Sequence, residues 1–549
     1  MKHVATVSRT VVDVVNRRIF GGRIEVSPTG RIVALHPEQF PEPGFIVPGF
    51  VDAHVHVESS MLTPTSFARE AVRHGTIAAV TDPHEIANVL GVSGVEFMLE
   101  EAARTPFLFA TGAPSCVPAT SFETAGAVLD AKMVSALLNR PDISHLSEMM
   151  NVPGVLSGDA DILAKLEAAW KHGKPVDGHA PGLRGDDLVR YLRAGITTDH
   201  ECLNADEAIE KAAAGMLIQL RRGSAARMFE SLLPVLQRYP GACMFCSDDK
   251  HLDDLLQGYI NDSVRIAVEA GIDLFDVLQA ATLNPVRHYG LDMGLLQPGD
   301  RADWVEVENL QDFRVIRTVI GGQILAENGV SLLQPMSPLS LPNRFLLQPV
   351  AAGVFHIQAQ DGSCRVIGVR DGELVTDSLT CIPTVRDGAV IANPQHDQVK
   401  LAVFNRYAAN APPALALASG LGLERGAMAA SVAHDSHHVI VAGTDDFLMA
   451  EVVNAVIAHG GGLAATDGWG EVRTMPLPVA GLMSIDTCAH AAAAYARITD
   501  TVRGCGCRLH APFMTLSFLA LPVIPALKLT DQGLFDGERF QPTAFWCAF

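Results

Sequence analysis

From about Ile46 to Gly290, short apolar runs alternate with segments whose apolar residues recur at helical spacing, the pattern of repeated βα units. Eight runs can be counted. They are FIVPGFVDAHVH ending at His56, TIAAVTD ending at Asp82, PFLFATGAP ending at Pro114, ISHLSEMMN, PVDGHAP, ITTDHE, MLIQLRR and ACMFCSDD. Segments such as ILAKLEAAWKHGK and DEAIEKAAAG lie between them, with Gly near their C-terminal ends. Eight repeats over about 240 residues predict an α/β fold, a (β/α)8 TIM-like barrel at 46–290, for which about 250 residues is typical.

The flanks differ. Residues 1–45 read as short β segments with turn signals at Gly21-Gly22 and Thr29-Gly30, and LNPVRHYGLDMGLLQPGDRADWVEVE returns to turns and short strands after the barrel. Pairing of 1–45 with 291–340 is expected to make one small composite β domain. Residues 341–549 hold a strand-like HHVIVAGT and a helix-like FLMAEVVNAVIAHGGG, and predict an additional C-terminal α/β or α+β domain.

A chain of 549 residues, 48% hydrophobic and 19% charged, can bury several cores. A formal charge of −20 offers no basic surface for phosphates, so neither nucleic acid nor an anionic membrane is an expected partner; a small-molecule substrate is. The N-terminus lacks an apolar signal core, and Phe513 to Leu529 is interrupted by Pro522 and Pro525, so this stretch reads as core and the protein as cytoplasmic. Ten scattered cysteines read as reduced thiols. The apolar C-terminal part makes a homo-oligomer, dimer or larger, the expectation.

The chemistry lies at the strand ends. In His54-Val55-His56 both imidazoles point to one face of a strand, His179 and His200 end the fifth and sixth runs, and Asp248 or Asp249 ends the eighth. Glu148 adds a carboxylate at the same level in the fourth. A barrel places its active site at this C-terminal mouth, so four histidines and two carboxylates there point to divalent metal and an activated water. Cys243 and Cys246 form a CxxC whose members fall on opposite strand faces, with no second pair, and read as core. The zinc deaminase signature HxE with PCxxC is not met, because Ala242 precedes Cys243.

These residues resemble the amidohydrolase superfamily, and within it the adenine deaminase family. The motifs are PGFVDAHVHVESSMLTP, TDPHEIANVLG, SEMMNVPGV, DGHAPGL, TTDHE and SDDKHLDDLL, with SVAHDSHHVIVAGT, LPVAGLMS and MTLSFLALPVIPALKLTDQGLFD in the C-terminal half. The resemblance implies hydrolysis of adenine to hypoxanthine and ammonia, in purine salvage or catabolism. It also implies two divalent ions held by His54, His56, Glu148, His179, His200 and Asp248, with manganese first, iron second and zinc last. Glu148 would bridge the metals, Asp248 would shuttle a proton, and Glu85, in the loop after the second strand, would protonate a ring nitrogen. Asp82, as an orienting partner of a ligating imidazole, and His84, Asp249, Ser436 and His437 are further candidates for contacts to substrate or ligands. The segment His434 to His438 could supply a lid or base contacts, or equally a subunit or domain interface. The alternative activity is that of another amidohydrolase, acting on a different aminopurine or pyrimidine or on a cyclic amide.

Overall fold

A computed structural model describes residues 3–224 and 228–547. The chain divides into two compact units: residues 1–83, 96–115 and 130–338 in the first, and residues 84–95, 116–129 and 339–549 in the second.

In the first unit, each apolar run of the barrel region forms a buried parallel strand. The strands are β1 (Phe50–Val55), β2 (Thr76–Thr81), β3 (Leu108–Ala113), β4 (His145–Met149), β5 (Val176–Gly178), β6 (Thr198–Asp199), β7 (Leu217–Arg221) and β8 (Cys243–Cys246). They form one parallel sheet of β1 to β5 and another of β6 to β8. The Thr197 N–H donates to the Val176 oxygen at 2.9 Å, which joins β5 to β6, and a parallel bridge between Val55 and Asp248 joins β8 to β1. The result is a closed TIM-like ring. Its interior holds Ala53, Val80, Ala110, Met244 and Cys246, small or flexible side chains that suit a narrow barrel. Helices such as Ala160–Lys171 and Ala205–Ala213 follow the strands, each started by an Asp or Asn cap, Asp159 and Asn204.

An eight-stranded sheet in the same unit takes strands from both sides of the barrel sequence. Phe45–Val47 lies between Thr6–Asp13 and Trp304–Val307, and the chain's start and its 304–331 segment share one core around Val11, Ile24, Ile46 and Trp304. The turn expected at Thr29-Gly30 is present, but Gly21-Gly22 lies inside the strand Arg18–Val26. These glycines serve close packing, since a Cβ on Gly21 would meet the Glu38 carbonyl oxygen at 2.2 Å and one on Gly22 the Val11 side chain at 2.9 Å.

The second unit is built on another eight-stranded sheet. Its pairings are antiparallel except where Cys364–Gly368 runs parallel to Ala414–Ser419. The helix Asp446–Ala458 packs its Met449, Val452, Val453 and Val456 against Phe404, Ala429 and Val441 of that sheet. The apolar stretch before Leu529 contributes the buried helix Pro512–Phe518. Among the described residues no helix is long and apolar enough to cross a membrane, and all ten cysteines are free thiols.

Candidate metal centre

The six strand-end side chains converge at the C-terminal mouth of the barrel. His54 Nε2 lies 3.3 Å from His56 Nε2, and Asp248 Oδ1 lies 2.9 Å from His56 Nε2 and 3.4 Å from His54 Nε2. Glu148 divides its two oxygens, with Oε1 3.4 Å from His56 Nε2 and Oε2 2.9 Å from His179 Nδ1 and 3.1 Å from His200 Nε2. The His54 and His200 rings stack, their centroids 4.1 Å apart. All of these groups are buried except His179, which is half-buried.

Backbone geometry sets these positions. Asp248 has a left-handed φ of 55°, unusual for a residue with a side chain, and it is pinned to β1 on both sides: its N–H donates to the His54 oxygen at 2.9 Å and its oxygen accepts from the His56 N–H at 3.3 Å. Asp199 and the buried Lys211 tie the β5 and β6 ends together, since Asp199 Oδ1 accepts from the Ala180 N–H and Oδ2 from Lys211 Nζ at 2.8 Å.

The donor set fits a divalent metal. Two groups of three, His54 with His56 and Asp248, and His54 with Glu148 and His200, each bring their ligand atoms within 4.8 Å of one another. Nitrogen and oxygen lone pairs facing one another at such separations repel unless a cation or proton lies between them. His56 is prepared as a ligand: its Nδ1 lies 3.0 Å from the Asp82 main-chain oxygen, which can only accept, so Nδ1 carries the proton and Nε2 is left bare. Asp82 thus orients an imidazole through its backbone oxygen. Burial pushes the Glu148 carboxyl up, but His200 and His179 outweigh it and hold Glu148 well below the usual range; for Asp248, Arg221 and the His54 and His56 rings do the same against burial.

Asp248, not Asp249, faces the histidines. Asp249 accepts from Ser59 Oγ at 2.6 Å and pairs with Arg221 at 3.4 Å. Arg221, at the end of β7, is a site residue that the sequence reading passed over, although it obeys the same strand-end rule.

Glu85, His84, Ser436 and His437 belong to the second unit. Glu85 does not lie in a loop: it is buried in the first turn of the helix His84–Leu90. Its Oε1 meets His434 Nδ1 at 2.6 Å and its Oε2 meets His437 Nε2. The Ala433 N–H points at His437 Nδ1, 3.3 Å away, so Nδ1 is the acceptor and Nε2 carries the proton. Such a His437 donates to a carboxylate and has no lone pair left for a metal. His437 is held neutral, its value lowered to about 4 by burial, while Glu85 is held well below the usual range, burial being outweighed by His434, His437 and His84. Ser436 instead donates to Glu123 Oε2 at 2.8 Å. Glu123, unmarked by any motif, is pushed up to about 8 by burial and by Asp435.

Comparison with known proteins gives the family. Residues 45–325 match the amidohydrolase family and residues 373–541 the adenine deaminase C-terminal domain. The chain is 49% identical over 538 residues to an adenine deaminase of Salinibacter ruber, covering 98% of both chains. It is 45% identical over 545 residues to one from Methanosarcina mazei, covering 97% of both, and 47% identical over 530 residues to one from a Sulfurovum species, covering 96% of this chain and 97% of that one.

Proposed function

The chain belongs to the adenine deaminase family of the amidohydrolases, and from that membership we propose that it hydrolyses adenine to hypoxanthine and ammonia. One observation carries the reading to this chain's own chemistry: Glu148 faces His56 with one oxygen and His179 and His200 with the other, as a group shared by two ions must.

His54, His56, Glu148, His179, His200 and Asp248 would hold two divalent ions, manganese first, iron next and zinc last. Divalent metal bound there supplies hydroxide at neutral pH, because it lowers the pKa of water from about 15.7 towards about 7. The chain's own groups then manage protons. Asp248 takes the proton of the attacking water and returns it to the amine that leaves C6 as ammonia. Glu85 exchanges a proton with a ring nitrogen; it starts as the anion, since His434 and His437 both face it, so the proton it delivers is one it first acquires. His84, Asp249, Ser436 and His437 act on substrate or on these groups, and Asp82 holds the His56 ring.

In this reading residues 46–290 are the catalytic barrel, 1–45 plus 291–340 a composite β domain, and 341–549 a C-terminal domain. The protein works in the cytoplasm as a dimer or larger, in purine salvage or catabolism, on a small molecule and not on nucleic acid or membrane. Protein produced with iron chelated and manganese supplied should convert adenine to hypoxanthine, followed by ultraviolet absorbance, and release one ammonia for each adenine consumed. No ammonia from adenine with manganese at saturation would refute the reading, and turnover of a different aminopurine or a cyclic amide would establish the rival amidohydrolase.

A further inference from the structure

The proposed proton carrier Asp248 has two oxygens in unlike surroundings. Oδ1 faces His56 and His54, whereas Oδ2 lies 2.6 Å from Arg221 Nη1. Arg221 is 2% exposed and spreads its guanidinium over three carboxylates: Nη1 also donates to Glu201, and Nη2 pairs with Asp249 Oδ2 at 3.4 Å. Asp249 is itself fixed, because its Oδ1 accepts from Ser59 Oγ. Since the Asp248 backbone is pinned to β1 on both sides, only its side-chain torsions are left to choose which oxygen turns towards the histidines.

We propose that Arg221 is the positioning residue of this centre: by occupying Asp248 Oδ2 it makes Asp248 meet the metal, and carry its proton, through Oδ1 alone. The inference rests on the deaminase reading for the proton and on geometry for the rest. A guanidinium keeps its charge at any working pH and has no acceptor, so Oδ2 cannot take a proton without giving up Arg221. A carboxylate freed from that hold could swing and chelate with both oxygens, leaving none properly placed to accept. A lysine, a point charge on a flexible stem, would restore the charge but not the planar fork that reaches several carboxylates.

The test compares Arg221→Met and Arg221→Lys with the parent protein, all loaded with manganese. Arg221→Met should lower kcat for adenine on the order of 100-fold, as misplacement of a reacting group does, with KM held within about threefold. Its manganese content should match the parent, and its manganese paramagnetic resonance spectrum, recorded without adenine, should differ because Asp248 has changed its mode of binding. Arg221→Lys should resemble Arg221→Met more than the parent in both readouts. The proposal is overturned if the Met variant keeps the parent's kcat and spectrum, or if it loses manganese and folding stability together, as a purely structural arginine would. If the Met variant does not fold, the Lys variant decides, and parent-like kcat and spectrum there also overturn it. A parent protein inactive on adenine would refute the functional reading, while the spectra would still judge Arg221.

Discussion

Two buried carboxyls of the second unit, Glu85 and Glu123, titrate in opposite directions because their neighbours differ in sign. Imidazoles surround Glu85, whereas Glu123 has the Asp435 and Asp531 carboxylates near it, with the Ser436 and Thr120 hydroxyls donating to it. For Glu123 the folded value of about 8 lies above the ordinary 4.5. Below 4.5 both states hold the proton and stability does not depend on this group; between 4.5 and about 8 the folded chain keeps a proton that the unfolded chain releases, so stability falls as pH rises through that window. Glu123→Gln titrates nowhere and lacks that slope. Urea unfolding from about pH 5 to about pH 9 should therefore show the two proteins within about 0.5 kcal/mol at the acid end, with the Gln variant gaining steadily towards the alkaline end. Parallel curves would mean that Glu123 is ionised in the fold. Glu123 and Arg221 also mark where residue-level reading stops. Strand alternation and strand ends announce His54, His56, Glu148, His179, His200 and either Asp248 or Asp249, but nothing local tells a polar side chain which distant partner will reach it.

At the scale of elements, the barrel strands were legible because buried parallel strands are near-continuous apolar runs. Even β5 and β6, only three and two residues long, carry their histidines just past their ends, as the sequence suggests. Two elements misled. Gly21-Gly22 resembles a turn but lies in a strand, because a missing side chain serves close approach as well as it serves a bend. Glu85, expected in the loop after the second strand, lies in the helix His84–Leu90, since the Pro83 before it suits the start of a helix. Close approach also governs β5, where a Cβ on Gly178 would meet the Thr198 carbonyl oxygen of β6 at 2.4 Å. Backbone cannot give way as a flexible side chain can, so Gly178→Ala should push β5 from β6 and shift the adjoining His179. The expected loss is about 1–3 kcal/mol in chemical unfolding, typical of overpacking, with weaker manganese binding by equilibrium dialysis. Wild-type affinity in a destabilised Gly178→Ala protein would show that His179 is held by other means, such as the Tyr191 hydroxyl at its N–H.

On the scale of the molecule, local pattern does not reveal that residues 84–95 and 116–129 leave the barrel sequence to join the second unit, because the burial of such short segments is decided by long-range contacts. Long range is also what couples the metal to folding. The six proposed ligands run from His54 to Asp248 in sequence, and an unfolded chain gathers few of them around one ion. A cation that binds the folded state alone stabilises it by RT ln(1 + [L]/Kd), about 2.7 kcal/mol at a free concentration of 100 Kd. The unfolding temperature of metal-stripped protein should therefore climb with each tenfold step in manganese and show no plateau once the sites are full, since mass action continues to favour the folded state. The formal charge of −20 attracts any divalent cation weakly, so magnesium at equal concentration sets the background. Glu148→Gln keeps the shape but removes the charge that His56, His179 and His200 all face, and its unfolding temperature should follow manganese little more than magnesium. If the parent protein responds to the two metals alike, the convergence of histidines and carboxylates at the barrel mouth is no manganese site, and its buried charges must be balanced by protons instead.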